Sequence, residues 1–176
     1  MTVYCSADGT VSMQLNDVLV DLVGRKRKLP VASGEICMVT LKLRPIGIPA
    51  NIETINQLLI LVKQLLLSLQ GLHKQGWVHR DIRLDNLVHG PNTWVLIDWE
   101  IAGPAGEFVF WNGISLPPEV KARQMPYTTA IDLWQVGKLI QSFDAISVGA
   151  TMQFANQLTS GQLLSAEDAL SAMPVL

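Results

Sequence analysis

The chain has 176 residues, of which 49% are hydrophobic, and its 13 Lys and Arg against 15 Asp and Glu leave a net charge of −2. This balance argues against nonspecific nucleic-acid binding through the whole surface, and the length is enough for a sizeable core. Cys5 and Cys37 lack C-x-x-C spacing, which argues against a zinc site.

The N-terminal segment predicts a β-hairpin. Thr2-Val3-Tyr4-Cys5 and Thr10-Val11-Ser12-Met13 flank a turn at residues 7–9. A charged segment followed by a continuous apolar core is missing there, so no secretory signal is predicted. Further along, Arg25-Lys26-Arg27-Lys28 is interpreted as a solvated connector, with a localisation signal or phosphate contact as the alternative.

Residues 55–72 predict a buried core helix. Apolar residues recur at steps of three and four, as a one-sided helix requires. They are Ile55, Leu58, Leu59, Val62, Leu65, Leu66, Leu69 and Leu72. Lys63, Gln64 and Gln70 interrupt the run before it reaches the ~20 apolar residues of a membrane span, and the pattern covers too few heptads for a coiled coil. Gly71 and Gly76, near the end of this helix, are expected to release the chain into the following loop.

The most informative segment is His79-Arg80-Asp81-Ile82-Arg83-Leu84-Asp85-Asn86, followed by an apolar run that ends in Asp98. Residues 87–88 and 94–97 predict two short strands joined by a turn at residues 90–92, a hairpin that brings Asp98 beside Asn86. Carboxylate and amide oxygens together suit a magnesium ion, and phosphoryl transfer needs mainly positioning and charge neutralisation. The alternative is a surface turn with scattered charges.

This segment resembles the catalytic loop of the eukaryotic protein kinase-like superfamily. Pro117-Pro118-Glu119 is similar to the A-P-E segment of that family, and Ile131-Asp132-Leu133-Trp134-Gln135-Val136-Gly137 is similar to the D-x-W-x-x-G opening of its central helix. Residues 165–170 resemble the start of the last large-lobe helix, and residues 38–47 resemble the strand and hinge that hold adenine. The resemblance implies an α+β, mainly α fold. Residues 1–47 would be a reduced small-lobe remnant, and residues 48–176 a helical large lobe with a catalytic-loop β-hairpin.

The resemblance also implies roles for individual residues, with ATP and Mg²⁺ as cofactors. Asp81, Arg83 and Asn86 would be catalytic, with Asp81 as the base. Asn86 and Asp98 would hold the metal, and the backbone near Leu41 and Leu43 would hold adenine. In the family, the helix aspartate binds the backbone of the catalytic loop.

The resemblance implies three further roles. Asp132 would be the architectural carboxylate, and His79 is expected to brace the loop rather than react. Arg80 is placed to bind a phosphate on the segment between Asp98 and Glu119, where Ser115 is the only hydroxyl-bearing residue.

Three departures from the family are evident. The sequence has neither a Gly-rich loop nor a V-A-I-K-like string, and a predicted helix over residues 15–23 offers only Asp17 and Asp21 in place of the expected glutamate. Trp99-Glu100 replaces Phe-Gly and resembles aminoglycoside and choline kinase relatives. Glu119 lacks its expected arginine partner, so an exposed side chain or another donor is expected.

An aromatic group at positions 108, 110 and 111 is expected to anchor its segment in the core, with a docking patch as the alternative.

The function predicted from these features is an ATP- and Mg²⁺-dependent phosphotransferase acting weakly on Ser or Thr hydroxyls of proteins. A pseudokinase or truncated fragment that works as a scaffold is the main alternative, and a small-molecule kinase is a further one. The expected partners are a protein substrate or regulatory protein, and a second copy bound through the surface that a reduced small lobe leaves exposed. Nucleic acid and membrane are not expected, and the location is expected to be intracellular, either cytoplasmic or nuclear.

Overall fold

The computed structural model describes residues 51–90, 93–108, 115–122 and 125–174, together with the strand backbone of 2–5, 11–14 and 48–49. The chain forms two compact units, Met1–Gly47 and Ile48–Leu176. In the first unit, strand β1 (Thr2–Cys5) pairs antiparallel with β2 (Val11–Gln14). This confirms the predicted N-terminal hairpin, with its second strand one residue later than expected. The predicted helix over 15–23 and the cations of 25–28 lie outside the described residues.

Short strands frame the motif segment in the second unit. Strands β3 (Ile48–Pro49), β5 (Leu87–His89) and β6 (Trp94–Leu96) form an antiparallel sheet in the order β3-β5-β6. A second antiparallel pair joins β4 (Trp77–Val78) to β7 (Gly103–Pro104). Residues 79–86 therefore connect β4 to β5, and Asp98 follows shortly after β6.

The second unit also contains five α-helices among its described residues. Its helices are α1 (Ile55–His73), α2 (Pro118–Lys121), α3 (Thr129–Gln141), α4 (Ala150–Thr159) and α5 (Ala166–Ala172). Helix α1 begins with a capping box in which the Thr54 side chain accepts from the Gln57 N–H and the Gln57 side chain binds back to the Thr54 backbone. Ser165 caps α5 by accepting from the Asp168 N–H at 3.0 Å.

Helix α1 is the largest contributor to the core. Its buried residues are Leu58, Leu59, Leu61, Val62, Leu65, Leu66 and Leu69. The predicted buried stripe is confirmed at six of these positions, while the burial of Leu61 was not predicted. By length and composition α1 could cross a membrane, but these seven side chains are buried in the folded unit.

The end of α1 lies one residue beyond the predicted range of 55–72. The helix continues through Gly71 to His73, because an internal glycine removes no backbone hydrogen bond and therefore only weakens a helix. Gly76 has a φ of +75° in the turn that follows, a conformation that glycine adopts at little cost.

Helix α3 is buried along most of its length and packs closely on α4. A Cβ at Gly137 would lie 2.7 Å from Thr159 Cγ2 and 2.9 Å from the carbonyl oxygen of Ala155, so only glycine permits this approach. The predicted buried central helix is confirmed, with Leu133, Val136 and Ile140 fully inaccessible to solvent. Because α3 is held on several sides, its polar side chains make a firm support for the loop at residues 79–86.

Candidate active site

A buried carboxylate on α3 holds the start of the motif loop. Asp132 is completely buried, and its two oxygens accept from the His79 N–H at 2.8 Å and the Arg80 N–H at 2.9 Å. The Tyr127 hydroxyl donates to it at 3.1 Å, and His73 Nε2 lies 2.9 Å away. Four polar partners replace the water that the carboxylate loses on burial. The predicted architectural role of Asp132 is confirmed.

Side chains bind every backbone N–H from residue 79 to residue 82. The first two donate to Asp132, the Asp81 N–H donates to His79 Nδ1 at 3.3 Å, and the Ile82 N–H donates to Gln135 Oε1 at 3.0 Å. Residues 79–82 lie outside the strands, so these buried N–H groups have no strand partner and need side-chain acceptors. The backbone on both sides of Asp81 is therefore fixed.

His79 is a structural member of this loop. Its ring lies edge-on to Trp99, with ring centroids 4.6 Å apart, and its Nε2 lies 3.2 Å from the Ile97 carbonyl oxygen. Burial lowers the pKa of His79 below its ordinary 6.5, although nearby carboxylates, led by Asp132, oppose the shift. The neutral ring can then donate from Nε2 and accept at Nδ1, as its contacts require. This confirms the predicted bracing role.

Tyr127 completes the support around Asp132. Burial is the largest cause that raises the pKa of its hydroxyl well above the ordinary 10.0, and the charge of Asp132 adds to the effect. The hydroxyl therefore stays protonated at neutral pH and donates to the carboxylate. Nothing in the sequence pattern singled out Tyr127, which precedes α3 and shares no motif with it.

Arg80 is turned towards the segment after Asp98. Arg80 has a φ of +77°, and its Nη2 donates to the Pro104 carbonyl at 2.7 Å and to Glu107 Oε2 at 2.8 Å. A Cβ at Gly103 would lie 2.8 Å from the same Nη2. The guanidinium predicted to receive a phosphate from this segment thus has a carboxylate partner from the segment. Ser115 is exposed.

Asp81 and Asn86 are in direct contact. Asn86 Nδ2 donates to Asp81 Oδ2 at 2.8 Å and to the Asp81 carbonyl at 2.9 Å. Arg83 Nε lies 3.3 Å from the same Oδ2. The structure therefore brings together the three residues predicted to be catalytic. Because Nδ2 of Asn86 makes both bonds to Asp81, the side-chain oxygen of Asn86 is the atom that can coordinate a cation.

Asp98 lies one residue beyond a second contact with this loop. The Ile97 N–H donates to the Asn86 carbonyl at 2.8 Å, and Asp98 is exposed with a φ of +62°. The negative charge of Asp98 raises the pKa of His79, against the larger opposite effect of burial. Among the described residues no group of three or more His, Cys, Asp or Glu forms a metal site. The predicted metal ligands are one amide, Asn86, and one carboxylate, Asp98.

Other predicted features have mixed outcomes. Glu119 is exposed, which confirms the expectation for a carboxylate without its usual arginine. Phe108 is 50% exposed, so its predicted anchoring in the core is wrong, because a ring anchored in the core would lose nearly all of its contact with water. Phe110 and Trp111 lie outside the described residues. Leu41 and Leu43 also lie there, and their contact with adenine stays a prediction.

Comparisons with known proteins give partial matches. No family model matches the chain. It is 32% identical over 109 residues to Crinkler effector protein 8 of Phytophthora infestans, covering 58% of this chain and 18% of that protein. It is 30% identical over 133 residues to the serine/threonine-protein kinase US3 of Human herpesvirus 1 (strain 17), covering 64% and 26%. It is 32% identical over 85 residues to the hormonally up-regulated neu tumor-associated kinase homolog of Xenopus tropicalis, covering 43% and 12%.

The chain carries a protein kinase-like domain fragment. It spans about a quarter or less of the length of each of these three relatives. The mixture of helices and short strands agrees with the large lobe of a kinase-like domain.

Gln135 is a second residue, after Tyr127, whose role was not recognised in the sequence. It lies within the D-x-W-x-x-G-like string, three positions after Asp132 and therefore on the same face of α3. That spacing is the signal that could have placed it beside the loop. Its side chain is 2% exposed and makes three hydrogen bonds.

Proposed function

We propose that the chain is an ATP- and Mg²⁺-dependent phosphotransferase that acts on Ser or Thr hydroxyls of proteins, with slow turnover. The observation that carries the proposal is the direct bond between Asn86 and Asp81, on a loop whose neighbouring N–H groups are all bound to side chains. A solvated turn would have no need for so many buried partners. Names of partial relatives that are serine/threonine-protein kinases support the same class.

Asp81 is the proposed base. Asn86 and Arg83 both contact its Oδ2, which leaves Oδ1 to accept the proton of an acceptor hydroxyl. Orienting that hydroxyl and removing its proton are the main tasks left to the protein in phosphoryl transfer. Arg83 has a half-exposed side chain, so it can turn from Asp81 to the negative charge of a transferred phosphate.

The donor set near Asp81 fits a magnesium ion. Asn86 offers an amide oxygen and Asp98 a carboxylate, and Mg²⁺ prefers oxygen ligands and retains several waters. Two protein ligands are then enough. When bound, ATP with Mg²⁺ supplies the phosphoryl group, and we propose that the backbone near Leu41 and Leu43 contacts adenine.

A scaffolding function is the second candidate. The absence from the sequence of a Gly-rich loop and of a V-A-I-K-like lysine favours it, because these parts grip the phosphates in active kinases. In either case we propose an intracellular protein partner, either a substrate or a regulator, and a second copy of the chain as an alternative partner.

Nucleotide titration distinguishes the two functions. Isothermal titration of ATP with Mg²⁺ into the chain should give saturable binding, and Asp98→Asn should weaken it about tenfold or more. Asp144→Asn is the matched control, because Asp144 is an exposed carboxylate in the connection between α3 and α4. A native chain that releases no heat and shows no thermal shift with the nucleotide supports the scaffold and refutes the phosphotransferase.

A further inference from the structure

We propose that Gln135 is a positioning residue, which holds the backbone on both sides of Asp81 and ties that loop to the segment at Ser115. The inference rests on the proposed phosphotransferase function, in which Asp81 is the base.

The contacts of Gln135 bracket Asp81. Its Oε1 accepts from the Ile82 N–H at 3.0 Å, and its Nε2 donates to the Arg80 carbonyl at 2.8 Å. These are the two residues adjacent to Asp81 in sequence. The Asp81 carboxylate therefore cannot shift along the loop without breaking a bond to the same amide group.

Gln135 also reaches a second segment. Its Nε2 donates to the Ser115 carbonyl at 2.9 Å, just before α2. Both hydrogens of the amide nitrogen are thereby directed at carbonyl oxygens, one on each segment. A single side chain thus fixes the distance between the loop that carries Asp81 and the backbone at Ser115.

Only an amide meets these requirements at this position. The site presents one N–H and two carbonyl oxygens, and the glutamine amide has one acceptor group and two donor hydrogens to match them. A carboxylate would direct its second oxygen at two carbonyls, and an apolar side chain would leave all three groups without that partner. Because the side chain is 2% exposed, water cannot substitute freely.

Asp132 and Gln135 bind different backbone groups of the loop. Asp132 binds the N–H groups of His79 and Arg80, before the base. Gln135 binds the groups immediately before and after the base, and it alone of the two contacts Ser115. Loss of Gln135 should therefore alter the placement of Asp81 more than the fold of the loop.

The test compares Gln135→Met with Gln141→Met. Methionine keeps nearly the same length and volume but removes the amide. Gln141 lies on the same helix, and its amide donates to Asn156 at 3.0 Å on α4 rather than to the loop. Each variant would be assayed for kcat with a protein acceptor, for ATP affinity with Mg²⁺, and for amide hydrogen exchange at Ile82.

Gln135→Met should lower kcat by about tenfold to a hundredfold, the usual result of displacing a reacting group by about 1 Å, with ATP affinity within twofold of native. Gln141→Met should lower stability and leave kcat unchanged. In addition, Gln135→Glu should regain activity relative to native as the pH is lowered, because the protonated acid can donate to one of the two carbonyls. Packing alone would not produce that pH-dependent recovery.

The outcomes separate this inference from the proposed function. Equal kcat values for Gln135→Met and Gln141→Met in an active native chain would overturn the positioning role. A native chain that transfers no phosphate refutes the proposed function, and the exchange data then decide the loop contact. Faster exchange at Ile82 in Gln135→Met but not in Gln141→Met supports the positioning of the loop, and unchanged exchange overturns it.

Discussion

Replacing Asp132 by asparagine tests how strongly this residue stabilises the loop at residues 79–86. The carboxylate is fully buried and meets four donors: the N–H groups of His79 and Arg80, the Tyr127 hydroxyl and a ring nitrogen of His73. An asparagine in either orientation directs its NH₂ group at one of the two loop N–H groups, so at least one buried N–H loses its partner. The remaining bonds lose the strength that the negative charge provides.

The expected loss follows from these contacts. One unsatisfied buried donor costs about 1–3 kcal/mol, and bonds to a charged group exceed neutral ones by about 1 kcal/mol each. The sum is about 3–5 kcal/mol, a large share of the roughly 5–15 kcal/mol by which a typical domain is stable. Urea unfolding at pH 7, followed by circular dichroism, measures it directly.

An exposed aspartate, Asp144, provides the control for Asp132→Asn. Asp144→Asn removes an exposed charge from the same unit and should change the free energy of unfolding by less than about 0.5 kcal/mol. If Asp132→Asn also falls within that range, the described hydrogen bonds do not hold the loop, and the explanation of how Asp81 is positioned is wrong.

Three further predictions concern the same region. Because the pKa of His79 is lowered in the folded chain, the unfolded chain binds a proton at His79 more readily than the folded chain does. The free energy of unfolding should therefore fall as the pH drops through 6.5. An NMR titration that gives His79 a pKa at or above 6.5 would contradict this prediction. Gly103→Ala places a Cβ 2.8 Å from the guanidinium of Arg80, which can move away only by losing its bonds to Pro104 and Glu107, so the change should cost about 1–3 kcal/mol. Gly71→Ala has open space around it inside α1 and should gain about 0.5–1 kcal/mol in urea unfolding. Equal effects of the two substitutions would refute the close approach at Gly103. Tyr127→Phe removes one donor from the buried helix carboxylate and should cost about 1–2 kcal/mol, with near-native stability as the contradicting result.

The sequence predicted the parts of the site that local spacing determines. Asp81 and Asn86 lie in one loop, so their short separation makes contact easy, and the burial of most of the α1 stripe follows from the helical periodicity of its apolar residues. These two features depend on few contacts outside their own segment. The role of Asp132 was instead implied by the resemblance of residues 131–137 to the central helix of the kinase family.

The parts that were missed depend on tertiary packing. The bond between Arg80 and Glu107 joins residues 27 positions apart in sequence, and no motif links them. Gln135 was visible in a recognised string, but its contacts with Ser115 and Ile82 require knowledge of how three segments meet. The exposure of Phe108 likewise depends on what lies beside it, because an aromatic residue fits either a core or a surface.

Phosphoryl transfer itself tests the central claim most directly. The chain would be incubated with γ-labelled ATP, Mg²⁺ and a protein acceptor rich in Ser and Thr, beside Asp81→Asn and the exposed loop control Asp85→Asn. Label should pass to Ser or Thr hydroxyls with the native chain and with Asp85→Asn, and fall by about a hundredfold or more with Asp81→Asn. Equal transfer by Asp81→Asn and the native chain, or none by either, would contradict the assignment of Asp81 as the base.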